Sequence, residues 1–176
     1  DLSYIVRIVP ALLRGAGVTL ALFALVFPLS LPLGFLVTLC ANCRFKPVKW
    51  LAEAYIFVMR GTPLMLQLFF FYYGLPFLPG IGQYLRLSSF AAAALSFTLN
   101  YAAYFAEIFR GGLLSIDRGQ YEVSHVLGLT SFQTMTRIII PQMIRVTLPS
   151  IGNEAITLVK DTALVASIAL PELLHY

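Results

Sequence analysis

Glu154, Thr157 and Asp161 fall at i, i+3 and i+7, a spacing that stacks side chains on one face of a helix. The result is two carboxylates, one turn either side of a hydroxyl. Two like charges held together in a low-dielectric setting either attract a cation or force one of the pair to take up a proton. Lys160 points about 100° away from Asp161 on a helix and neutralises it only in part. Asp161 therefore either forms a structural ion pair with a lysine or arginine elsewhere or faces a ligand. A second set, Asn100, Tyr104 and Glu107 at i, i+4 and i+7, puts an amide, a phenol and a carboxylate on one side of another helix. Such a stripe serves interhelical hydrogen bonding or a water-lined path.

The elements that must hold these groups are apolar. The chain is 59% hydrophobic and 11% charged, with a mean hydropathy of +0.84, whereas a soluble domain carries roughly a quarter charged residues. Residues 15–43, 61–85 and 87–106 contain no charge, and a fourth apolar stretch runs near 139–170. About 20 apolar residues cross a hydrocarbon core of roughly 30 Å, so each stretch is long enough for a span and the fold class is an all-α membrane protein. The fourth stretch is interrupted by Arg145, Pro149, Gly152, Glu154, Lys160 and Asp161. A charge at mid-bilayer costs about 2.5 to 3.5 kcal/mol on insertion scales, so these groups should face protein or water. Glu154 has no opposite charge within a helical turn and is the stronger candidate for facing a ligand.

Loop charges set an orientation. Arg44, Lys46 and Lys49 follow the first span, and Arg110, Arg118 and Arg137 lie between the third and fourth, while Arg86 alone separates the second and third. The positive-inside rule places the first two connectors in the cytoplasm and the N-terminus outside. The formal charge of +4 then reads as topology signal and contact with lipid headgroups, not as a nucleic-acid footprint, because the cations are dispersed. The first span is longer than a signal-peptide core and is expected to be retained.

Other chemistry is poorly supported. Cys40 and Cys43 have no second pair to complete a zinc site, His125 and His175 lie far apart, and no serine sits with a base in a nucleophile constellation. No catalytic residue and no metal are assigned.

Several segments break the apolar pattern. Thr62 before Pro63 predicts an N-cap and a first-turn proline, so the second span starts or restarts there. Glu53 and Arg60 share a helical face and are expected at the cytoplasmic interface. Residues 120–137 are amphipathic: a helix up to Leu127, a break at Gly128, then a capping box of Thr130 and Gln133 opening a helix that enters the membrane near Ile138. A helix pair of this kind needs a surface to bury its apolar side. Lipid headgroups are one candidate, but the polar face is poor in Lys and Arg, and a cytosolic protein fits better.

Glu122, Gly128, Ile138 and Pro141 resemble, in type and spacing, the cytoplasmic EAA loop of ATP-binding-cassette importer permeases, with Val123-Ser124 in place of Ala-Ala. "RGTPLMLQLFFFYYGLP", "NYAAYFAEIFRGGLLSIDRGQYE", "LPSIGNEAITLVKDTAL" and "LPELL" are similar, in order and separation, to the polar amino acid subfamily. The resemblance implies a MetI-like permease fold in a bacterial-type cytoplasmic (inner) membrane, multi-pass. It implies a single transmembrane domain over 1–176 with a coupling loop at about 112–137. About five transmembrane helices are expected in the full protein, four of them here and a fifth after residue 176. It further implies two cytosolic ATPase subunits that bind ATP and Mg, a second identical or related permease subunit, and an external amino-acid-binding protein. The chain has no Gly-x-x-x-x-Gly-Lys-Ser/Thr loop, so no cofactor is assigned to it and hydrolysis belongs elsewhere.

On this resemblance Tyr121, Glu122, Val123, Ser124, His125, Gly128, Ile138 and Pro141 form the ATPase-coupling set. Glu154 and Asp161 contact the substrate, Thr157 lies between them, and Asn100, Tyr104 and Gln67 line the route. An acid at Glu154 suits a cationic side chain, that of arginine, lysine or histidine. Glutamine or cystine uptake is the alternative within the family, and a proton- or sodium-coupled secondary transporter using Glu107, Glu154 and Asp161 is the alternative outside it.

Overall fold

A computed structural model describes residues 2–168, all of whose regular elements are helical. The "LPELL" motif at 170–174 and His175 lie outside the described residues. Helix α1 is Leu2–Ala41, α2 is Lys46–Gly61, and α3 is Leu64–Phe69, extended by a π turn (Phe70–Gly74) and a 3-10 turn (Leu75–Phe77). Helix α4 is Ser89–Ser115, α5 is Arg118–Val126, and α6 is Ser131–Thr134, followed by a π turn (Met135–Ile139). Helix α7 is Ile140–Asp161, ending in a 3-10 turn (Thr162–Val165).

Helix α4 is the centre, packed against α1, α2, α3 and α7. Its N-cap is Ser88, whose hydroxyl accepts from the Ala91 amide at 3.2 Å. The α1 face that meets it is a stripe at four-residue spacing, Leu22, Val26, Ser30, Gly34 and Thr38, all buried. At Gly34 the backbones nearly touch: a Cβ there would lie 2.7 Å from the Phe105 Cβ and 2.8 Å from the Ala102 carbonyl oxygen. One turn on, the Thr38 hydroxyl donates to the Gly34 and Ala106 carbonyls at 2.9 and 3.0 Å, joining the two helices. Small residues and hydroxyls of this kind are what hold helices together in lipid, where apolar burial gives little net drive. Gly34→Leu should therefore cost about 3 kcal/mol or more by forcing α1 off α4, seen as a lower melting temperature of the detergent-purified protein. A wild-type melting temperature would refute the close approach.

The span expectations meet the structure unevenly. Gly15–Ala41 within α1 is long and apolar enough to cross a membrane. The uncharged 61–85 run is not one straight helix; α3 and its extensions stop at Phe77, and α2 and α3 meet at 104°. Thr62 is not the N-cap of α3. It caps the C-terminus of α2 in extended conformation (φ −113, ψ 143), with its hydroxyl donating back to the Val58 carbonyl at 2.8 Å. Pro63 is extended too, so the helix restarts at Leu64. The cause is steric, because a residue before proline is driven out of the α region.

Residues 117–134 follow the expected break. Asp117 caps α5 by accepting from the Gly119 amide at 2.6 Å, and the helix ends in a Schellman motif. The Leu129 amide bonds the Ser124 carbonyl and the Gly128 amide bonds the His125 carbonyl, both at 3.0 Å, with Gly128 left-handed at φ 73. The Thr130–Gln133 capping box then starts α6 with bonds of 3.2 and 2.9 Å.

Candidate functional site

A cavity of about 370 Å³ opens where the α2–α3 break faces α4 and α7. Arg60, Thr62 and Pro63 come from the break, Asn100, Tyr101 and Tyr104 from α4, and Glu154, Thr157 and Asp161 from α7. The Glu154–Thr157–Asp161 stripe and the Asn100–Tyr104 part of the second stripe thus converge on one space. Its volume lies in the range of roughly 300–1,000 Å³ usual for small-molecule sites.

The two carboxylates are held differently. The Tyr101 hydroxyl, on a side chain only 2% exposed, donates to Asp161 Oδ2 at 2.6 Å. Glu154 has no hydrogen-bond partner, and neither carboxylate joins an ion pair, among the described residues. The Thr157 hydroxyl donates to the Asn153 carbonyl at 3.0 Å, so its oxygen remains available only as an acceptor.

Gln67 does not line the cavity; it lies behind it as part of a clamp on the broken helix. Its Nε2 donates to the Met59 carbonyl at 2.9 Å and to the Thr62 carbonyl and hydroxyl at 3.2 and 2.7 Å. Asn100 Nδ2 donates to the Met59 carbonyl at 2.9 Å and to Gln67 Oε1 at 3.1 Å. A bend of this size leaves α2 carbonyls without helical partners, and two buried amides supply them. Tyr55, on α2, also reaches across to donate to the Leu99 carbonyl of α4. The amides serve the backbone first, and Asn100 alone of the two also borders the cavity.

Glu107 turns away from this cavity. Arg110 grips it with both ends of its guanidinium, Nε and Nη2 donating at 2.9 and 2.7 Å. Arg60 lies 3.5 Å from the same carboxylate and 5.3 Å from the centre of the Tyr104 ring. Arg60 therefore borders both the 370 Å³ cavity and a neighbouring one of about 530 Å³ that also touches Glu53, Glu107 and Arg110. Glu53 and Arg60 share a helical face, as their spacing predicts, and both border the larger cavity; Glu53 pairs with Lys49 at 3.8 Å, while Arg60 also reaches the smaller one. Arg60 and Tyr101 are the site residues that sequence reasoning missed. A clue to Arg60 was its position in the last helical turn before the Thr-Pro break. Nothing in the sequence pairs Tyr101 with Asp161, 60 positions away.

The loop residues form a second region. Tyr121, Glu122, Val123 and His125 are exposed on α5, while Ser124 is fully buried, its hydroxyl donating to the Gln120 carbonyl at 2.6 Å. Val126, Leu127 and Phe132 are exposed beside them at 88%, 69% and 76%. Gln142 of α7 donates to Gln120 Oε1 at 3.2 Å, linking α5 to the helix that carries the carboxylates. Ile138 is half-buried and Pro141 exposed.

Residues 30–174 match the family described as binding-protein-dependent transport system inner membrane component. The chain belongs to that family. It is 38% identical over 175 residues to the arginine transport system permease protein ArtQ of Bacillus subtilis, covering 99% of this chain and 78% of that protein. It is 35% identical to the L-cystine transport system permease protein TcyB of the same organism, covering 93% and 68%. A crystal structure of an amino acid ABC transporter with histidines superposes with a TM-score of 0.86 at 36% identity, covering 96% of this chain and 77% of that one. The chain is thus the permease subunit of an amino-acid ABC importer, an inner-membrane transport component of all-α fold and not an enzyme; the ATPase is a separate subunit. Membership also sets aside the secondary-transporter alternative.

Proposed function

We propose that this permease takes up cationic amino acids, with the Glu154–Asp161 cavity as the substrate's station on the way through the membrane. The observation that supports the reading is that the two carboxylates face one cavity with no ion-pair partner among the described residues. A bound guanidinium or ammonium would offset the desolvation of both. The arginine permease named above is consistent with this. The cystine relative favours the second reading, glutamine or cystine uptake, in which the binding protein supplies selectivity and Glu154 only gates.

The remaining parts follow the family. An external binding protein delivers the amino acid, a second permease subunit completes the pathway, and two cytosolic ATPases bind ATP and Mg. The chain is multi-pass with its N-terminus outside, a single transmembrane domain whose loop at about 112–137 seats α5 in the ATPase. Tyr121, Glu122, Val123 and His125 make that contact, and Ser124, Gly128, Ile138 and Pro141 shape the loop. The unburied Val126, Leu127 and Phe132 support a protein partner there.

The test is substrate-stimulated ATPase activity of the assembled importer across a panel of amino acids. Arginine, lysine or histidine should stimulate it most. Stimulation confined to glutamine or cystine would remove the cationic reading and leave the importer assignment intact.

A further inference from the structure

The charge pattern of the cavity contains one group that the pairing of carboxylates with a cationic side chain leaves unused. We propose that Arg60 anchors the α-carboxylate of the transported amino acid. The inference rests on the cavity being the substrate site, as proposed above, but not on the side chain of the substrate being cationic.

Among the described residues lining the cavity, Arg60 is the one cation, beside the two carboxylates Glu154 and Asp161. A basic amino acid has the complementary set: one carboxylate, an α-ammonium and a cationic side chain. Most of the other side-chain donors around the cavity are engaged. Tyr101 donates to Asp161, Thr62 to Val58, Thr157 to Asn153, and Asn100 to Met59 and Gln67.

Arg60 is different. Its contact with Glu107 is an ion pair of 3.5 Å, longer than a good hydrogen bond, while Arg110 holds both oxygens of that carboxylate at 2.9 and 2.7 Å. The fork of Arg60 lies against the Tyr104 ring, which orients it without occupying its N–H groups. A planar guanidinium with free donors is the side chain best matched to a carboxylate, which it binds in two parallel bonds. Helix α2 ends one residue later at Gly61, and the Gln67–Asn100 clamp on Met59 fixes the backbone beside Arg60, so the anchor stands on a braced support.

The test is direct titration of the permease–ATPase complex, without binding protein, using arginine, argininamide and citrulline. Argininamide carries a neutral carboxamide in place of the carboxylate, and citrulline a neutral ureido group in place of the guanidinium. Wild type should bind arginine about 10- to 100-fold more tightly than argininamide, the usual worth of a charge-assisted contact. Arg60→Gln should bring that ratio to about one, and Arg60→Lys should keep part of it.

Equal binding of arginine and argininamide by wild type overturns the proposal, and so does an Arg60→Gln complex that keeps the preference. Should Arg60→Gln not assemble, the wild-type ratio and its change in Arg60→Lys decide. Failure of the cationic reading shows elsewhere, as equal binding of arginine and citrulline. In that case the acid-to-amide comparison, repeated with glutamine and glutaminamide, still judges Arg60.

Discussion

Glu154→Gln should abolish the preference of the permease–ATPase complex for arginine over citrulline, from about 10- to 100-fold in wild type to about one. Glutamine keeps the volume of the side chain and its capacity to hydrogen-bond, so the exchange removes little but the charge. Because Glu154 makes no hydrogen bond or ion pair among the described residues, the change leaves no donor stranded, and its cost in stability should stay within about 0.5 kcal/mol. Asp161→Asn is a less discriminating probe: it also deprives the buried Tyr101 hydroxyl of a charged acceptor at 2.6 Å, mixing a packing loss with the loss of charge. Titration of the two ligands against wild type and Glu154→Gln gives the answer directly. An unchanged ratio would leave Glu154 as a gating or pairing group and shift weight to the glutamine and cystine reading.

The parts of this molecule visible in its sequence were those governed by local rules. Helical spacing grouped Glu154, Thr157 and Asp161, and it grouped Asn100 with Tyr104; both sets line the one cavity. The capping box at Thr130 and the glycine break at Gly128 also depend on near neighbours, and both form. What the sequence hid depends on contacts between helices. The Glu107 side chain shares a helical face with Asn100 and Tyr104, yet Arg110 and Arg60 draw it out of the cavity. Gln67 reads as a polar side chain in an apolar run, suited to a pathway, until the 104° bend exposes the carbonyls it has to satisfy. The bend itself was half-legible. The Thr-Pro pair signalled a restart, but the angle follows from two successive extended residues that a cap-and-first-turn pattern does not foresee. Arg60 became a site residue for the same reason, since the helix breaks just after it and leaves the end of α2 bordering the cavity.

Gly128→Val should uncouple the importer while leaving the membrane helices folded. The residue sits at φ 73, a left-handed conformation that costs a β-branched side chain about 1–3 kcal/mol, and no neighbouring atom of the described residues lies within 4 Å of a Cβ there to complicate the account. The cost is therefore one of backbone alone. Relief of that strain breaks the Schellman bonds from Leu129 and Gly128 to Ser124 and His125, and with them the fixed angle between α5 and α6. The α1–α4–α7 packing is built from other residues and should survive, giving a near-wild-type melting temperature for the permease alone. If α5 is the joint through which the ATPases drive the permease, stimulated ATP hydrolysis and uptake should fall together, by an order of magnitude or more. Gly128→Asn is the control, because asparagine tolerates the left-handed region and should restore most of the activity. Full coupling in Gly128→Val would refute the assignment of α5 as the joint. Equal loss in both variants would mean that the side chain itself clashes with the ATPase surface, so that the contact reaches Gly128 and the backbone angle is not the cause.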